Sequence, residues 1–169
     1  MKEWIKDIII ALVIALIVVQ FVKPTIVKES SMQPNFYEND YLFLSKQAYT
    51  FSEPERGDVI VFHSDLVQDN GKEMLLIKRI VGLPGDEITI TDGNVYINGE
   101  LYEEDYIKEN FTVGEIDGLV VPDGDLFVMG DNRRVSIDSR SPKVGCIKID
   151  DIVGKAVLRA YPFSKFGLL

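Results

Sequence analysis

Three regimes of apolar and polar positions follow one another along the chain. The first, Ile8 to Val22, reads IIIALVIALIVVQFV with Gln20 as its only polar member, and Trp4 and Ile5 extend it past Lys6 and Asp7. A core helix would carry one polar face, and this run has none. A helical span of a hydrocarbon layer needs about 20 residues; the run is slightly short, but flanking lysines can snorkel and Trp4 suits an interface. A cleaved secretory signal would end in small residues, whereas Gln20-Phe21-Val22-Lys23-Pro24 follows here. The pattern therefore predicts a transmembrane anchor over residues 1–23. Lys2 and Lys6 on one side are matched by Lys23 and Lys28 on the other, so charge alone does not orient it. Pro24 cannot comfortably continue a helix, and the chain is expected to leave the membrane near it in extended form.

The second regime, beyond Pro34, consists of short apolar runs separated by Gly, Pro, Asn and Asp, the punctuation of a β-rich domain. Strands are predicted at Tyr41 to Leu44, Asp58 to Phe62, Met74 to Val81, Glu87 to Thr91, Asn94 to Asn98, Leu119 to Val121, Asp125 to Met129 and Ile152 to Arg159. Asp92-Gly93 and Asn98-Gly99 supply the positive φ angles of tight hairpins, with Ile88/Ile90 and Val95/Ile97 alternating around the first. A mainly β domain of antiparallel sheets over residues 24–169 is the expectation. The third regime, 102–118, YEEDYIKENFTVGEIDG, is acidic and lacks alternation, which predicts a surface loop without chemistry. Its Asn110-Phe111-Thr112 fits the N-glycosylation pattern, one that recurs by chance.

Composition narrows the function classes. At 169 residues the chain holds one folded domain plus one appended segment. With 27 acidic against 18 basic residues, net charge −9, it lacks the footprint of a nucleic-acid binder. One cysteine and one histidine allow neither an internal disulfide nor a Cys/His metal cluster, and no cofactor or metal is expected. Cys146 reads as a small apolar residue. His63 follows the run Val59 to Phe62 without a local triad signature, and reads as structural.

The remaining chemistry lies in two stretches. In IVKESSMQPNF, residues 26–36, Ser30 and Ser31 stand just past the anchor, and a serine is inert without a base. In MLLIKRIV, residues 74–81, alternation puts Met74, Leu76, Lys78 and Ile80 on one face and Leu75, Ile77, Arg79 and Val81 on the other. Lys78 is thus flanked by hydrocarbon on its own strand. A free lysine titrates near 10.4, leaving about one in 2,500 neutral at pH 7, whereas a fully buried amine can titrate as low as about 5–6. On this stretch alone, the favoured reading of Lys78 and Arg79 is structural: they are ion-paired or snorkel outward.

The combination is more specific than its parts. Ser31-Met32-Gln33-Pro34 near the anchor, then RGDVIVF at 56–62, KRIVGLPGD at 78–86, GDNRRVSIDSR at 130–140 and the closing IVGKA at 152–156 and YPFSKFG occur in an order that resembles the bacterial type I signal peptidases over nearly the whole chain. The resemblance implies a signal-peptidase-like β fold behind one membrane helix, with the short N-terminus cytoplasmic and the domain extracytoplasmic. It implies a serine endopeptidase that removes signal peptides from preproteins through a serine-lysine dyad and an acyl-enzyme. Ser31 maps to the nucleophile and Lys78 to the general base; Ser136 maps to a residue orienting the amine, and Asp138 and Arg140 to a pair holding the site. Implied partners are signal peptides, the lipid bilayer and the secretion translocon. Other readings of the same residues are a maturase of the clan dedicated to one substrate, or a signal-peptide-binding relative of weak activity. Asp131, Arg133 and Arg140 also read as a solvated surface network. The chain departs from the family pattern at Glu29, where glycine or serine is usual, and at Asn35-Phe36, where Thr-Leu is usual. A carboxylate at position 29 would oppose negative charge developing beside Ser31.

Overall fold

The computed structural model describes residues 2–67 and 71–169, without the side chains of residues 2, 3, 17 and 18. Met1 of the anchor segment and the Lys2 ammonium invoked above lie outside the described residues. Helix α1, Lys2–Phe21, is about 30 Å long at 1.5 Å per residue. Its window Trp4–Phe21 has mean hydropathy 2.3 and none of it is buried, so the helix is long and apolar enough to cross a membrane.

Strand β1, Val22–Ile26, follows α1 without a break and contains Pro24. Proline lacks the N–H a ladder needs, and it is tolerated here because β1 pairs on one side only, with β2, Tyr41–Ser45. The order continues through β11 (Ile152–Tyr161), β3 (Val59–Val67), β4 (Glu73–Gly82), β9 (Asp125–Met129) and β10 (Ile147–Lys148), while β12 (Gly167–Leu168) attaches to β11. Every pairing is antiparallel. A second, four-stranded sheet runs β7 (Glu100–Leu101), β6 (Asn94–Ile97), β5 (Glu87–Thr91), β8 (Ile116–Val120). Asp92 and Gly93 have φ of 50° and 79°, and Asn98 and Gly99 have 54° and 81°, the doubly positive geometry the two dipeptides predict.

Burial on both faces of β3 explains its continuous apolar run: Val59 and Val61 pack with Met32, Phe36 and Leu42, while Ile60 and Phe62 pack with Leu76, Ile80 and Val128. The small sheet buries Ile88, Ile90, Val95 and Ile97 against Val81, Phe127 and Met129. Strand β4 therefore joins the cores, and Lys78 is the sixth of its ten residues.

Two expectations need correction. The 102–118 segment is more than a surface loop: β8 begins inside it at Ile116, Thr112 is buried, and the Glu104 carboxylate is paired with the Arg133 guanidinium in the interior. Asp131 and Arg133 are likewise buried, and the Arg140 side chain is 9% exposed, so the solvated-network reading fails. Local pattern missed Glu104 and Asp131 because each meets its base, Arg133 and Arg79, far away in sequence.

Candidate active site

The segment Ser30–Met32 forms a single 3-10 turn, entered from Glu29 with extended backbone (φ −123°, ψ 159°). Met32 is fully buried in the core under β2 and β3, which anchors the turn and sinks Ser31, 4% exposed, against β4. Lys78, opposite Ile60 in the ladder with β3, is 1% exposed. Its Nζ lies 2.9 Å from Ser31 Oγ and donates to the Ile77 carbonyl oxygen at 2.9 Å. Removal from water lowers the Lys78 pKa below its ordinary value; Asp138, Glu29 and Asp131 pull upward, and burial outweighs them. The 2.9 Å separation is within hydrogen-bond reach, the geometry that general base chemistry requires.

Behind the pair runs the loop that follows β9. Arg140 donates through Nε and a terminal nitrogen to the two oxygens of Asp138, each at 2.8 Å, and Asp138 Oδ2 accepts the Gly130 N–H at 3.0 Å. Burial alone would raise the Asp138 pKa; the Arg140 guanidinium, joined by the Ser136 hydroxyl and the Gly130 N–H, more than offsets it and holds the carboxyl below its ordinary value. Gly130 has no room for a side chain: a Cβ there would lie 2.5 Å from the Ser31 carbonyl oxygen and 2.3 Å from Ser136 Oγ. Ser136 thus abuts the turn with its Oγ buried, and its hydroxyl faces Asp138, where it helps to hold that carboxyl low. Arg79, next to Lys78, forms a bidentate pair with Asp131 at 2.8 and 2.6 Å.

A groove of about 610 Å³ leads up to this pair. One wall is Pro24 to Glu29 and the other Lys72 to Ile77, with Val61 and Tyr41 between them. Strand β9 pairs only with residues 79–82 of β4, so both β1 and residues 74–77 of β4 present an edge unpaired by any other strand among the described residues. Ile26 and Leu75 are 49% and 44% exposed. Glu29 lies exposed at the groove's end nearest Ser31. His63 is exposed beside Glu73, away from these groups, and the half-buried Cys146 thiol is pushed up to about 11 by burial.

Comparison with known proteins agrees with this geometry. The family described as signal peptidase, peptidase S26, matches residues 1–161. A signal peptidase I of Bacillus licheniformis is 36% identical over 173 residues, spanning 96% of this chain and 90% of that protein. A probable signal peptidase I-1 of Synechocystis is 38% identical over 172 residues, spanning 99% and 86%. A crystal structure of a signal peptidase I from Enterococcus faecalis V583 superimposes with a TM-score of 0.50 at 33% identity, covering 62% of this chain and 97% of that one. The chain belongs to the signal peptidase family, peptidase S26, and with it to the serine endopeptidases of the type I signal peptidase class.

Proposed function

We propose that the chain removes signal peptides from membrane-held preproteins, with Ser31 as nucleophile and Lys78 as its general base. The observation that carries this reading is the 2.9 Å approach of a buried amine to the Ser31 hydroxyl. As Oγ attacks the scissile carbonyl carbon, Lys78 Nζ takes the hydroxyl proton; the tetrahedral oxyanion forms against the Ser31 main-chain N–H. When the C–N bond breaks, Nζ returns that proton to the departing amine of the mature protein, leaving the signal peptide as an ester on Ser31. A water molecule, deprotonated by Lys78, then hydrolyses the ester and regenerates both groups.

The substrate enters as an extended strand between β1 and the first half of β4. Main-chain hydrogen bonds to the two open edges supply affinity, and the shallow walls at Val27 and Ile77 select small side chains just before the cut. Helix α1 holds the enzyme in the bilayer as a single span, with residues 24–169 outside the cytoplasm as the catalytic domain. Asp138 and Arg140 support the site by fixing the Gly130 loop, and Ser136 fills the space beside it.

Purified protein in detergent or lipid, incubated with one preprotein, tests the reading. Wild type is expected to give a single cut after a small residue, and Ser31→Ala and Lys78→Met are each expected to give none. Lys78→Arg is expected to be equally inactive, because a guanidinium does not lose its proton. Retained turnover in any of these variants would overturn it.

A further inference from the structure

Proton transfer needs the two reacting atoms within about 3.2 Å, and misplacement by about 1 Å can cost 10²-fold in rate. Ser31 and Lys78 are 47 positions apart in sequence, so something must hold their segments in register. The contacts around them close into a ring. The Asn132 main-chain N–H donates to the Ser31 carbonyl oxygen at 2.9 Å, and its side-chain Nδ2 donates to the Ser30 carbonyl oxygen at 3.2 Å. Asn132 is bonded to Asp131, Asp131 pairs with Arg79 through two hydrogen bonds, and Arg79 is bonded to Lys78, whose Nζ returns to Ser31 Oγ. Two consecutive residues of β4 are thereby matched to two consecutive residues of the 130–140 loop, and the serine turn closes the circuit. A second tie leaves the other end of the turn: Asn35 Nδ2 donates to Asp131 Oδ2 at 2.8 Å and to the Tyr106 carbonyl oxygen at 2.6 Å.

The chemistry of the amide explains why these residues suit the task. An amide nitrogen carries two N–H groups and can serve two acceptors at once, as Asn35 does; a threonine hydroxyl has one hydrogen and can serve only one of them. Asn132 adds its main-chain donor to its side-chain donor and grips two successive carbonyls, which fixes both the position and the rotation of the turn carrying Ser31. Asn132 is 3% exposed and contacts neither edge of the groove.

We infer that Asn132 and Asn35 are positioning residues that set the Ser31 to Lys78 approach by tying the serine turn to the Arg79/Asp131 pair. This rests on Ser31 and Lys78 being the reacting groups.

Steady-state cleavage by the full chain tests the inference, with thermal unfolding followed alongside. Asn132→Ala is expected to lower kcat by about 10- to 100-fold with KM within about twofold. The pH at which the acid limb of the rate profile bends is expected to stay where wild type has it, because Lys78 keeps its burial. Asn35→Ala should behave in the same way but more mildly, and Asn35→Thr should recover part of the loss through its single donor. Asn35→Asp sets a carboxylate against Asp131, so its deficit should deepen as pH rises through the ionisation of the new group, a signature that general loosening would not produce. If Asn132→Ala fails to fold, the half-buried Asn35 series still decides. Wild-type kcat in the asparagine variants, or a loss residing wholly in KM, would overturn the inference while an inactive Ser31→Ala left the dyad standing. Turnover by Ser31→Ala would instead remove both.

Discussion

At the scale of single residues, Lys78 is held in a state that favours reaction over stability. In the unfolded chain its amine titrates near the ordinary lysine value of about 10.4, and burial lowers that value in the fold. The unfolded state therefore binds more protons between the two values, and stability rises with pH across that interval. Below the folded value the penalty of burying the amine is fully present. Lys78→Met, of similar length and without a charge, is therefore expected to raise the unfolding temperature at neutral pH while abolishing cleavage of the preprotein, because no general base remains beside Ser31. In the proposed mechanism the same protonation governs rate: only a neutral amine can accept the Ser31 proton, so kcat/KM should fall about tenfold for each pH unit below the lowered Lys78 value. A flat acid limb, or a Lys78→Met variant that melts earlier than wild type, would contradict this account.

At the scale of elements, legibility depended on whether the deciding physics was local. The Asp92-Gly93 and Asn98-Gly99 turns could be read because positive φ is a demand on the turn residues themselves. The burial of Lys78 was only suggested by the apolar neighbours on its own strand, because the same pattern suits a lysine that is ion-paired or snorkels outward. The strands β7, β10 and β12, two residues each, carry no period to detect, and β1 was legible as extended chain but not as a strand because Pro24 interrupts its ladder potential. The approach of Ser31 to Lys78 was available only through family resemblance. No local pattern encodes a contact across 47 positions. The 102–118 segment failed for the same reason: Glu104 looks solvated until Arg133 is brought over it, and Tyr106 until its ring lies 4.4 Å from the Arg79 guanidinium carbon. The Glu104 and Arg133 side chains are 5% and 0% exposed, so removing the acid leaves a cation unpaired in the interior. Glu104→Ala is expected to cost about 3–5 kcal/mol in denaturant unfolding. Replacing Arg133 by Met in the same chain should restore much of that loss, because no unpaired charge then remains. Equal instability of the single and double variants would show that the pair acts through packing instead.

At the scale of the whole molecule, the join between helix and sheet sets where the groove starts relative to the apolar helix. Strand β1 begins where α1 ends, the Lys46 N–H closes onto the Phe21 carbonyl oxygen at 2.9 Å, and Ser31 follows Val22 by nine residues, a reach of at most about 30 Å. The groove begins at Pro24, beside the helix end, and finishes at Glu29, beside Ser31. A polypeptide leaving the bilayer alongside α1 would thus enter the groove at its near end and be delivered, extended, to the hydroxyl at its far end. Confining both partners to one membrane replaces diffusion through solution with a local concentration that can reach the millimolar range, and such tethering can raise apparent affinity by about 10²–10⁴-fold without any new contact. Removing residues 2–21 while keeping β1 intact should therefore leave cleavage of a short soluble peptide within about threefold of wild type. The same deletion should slow cleavage of a bilayer-inserted preprotein by one to several orders of magnitude. Measuring both substrates on both proteins separates delivery from architecture: an equal loss on peptide and preprotein would mean that α1 supports the groove wall through β1, and no loss on either would mean that the encounter does not use the membrane at all.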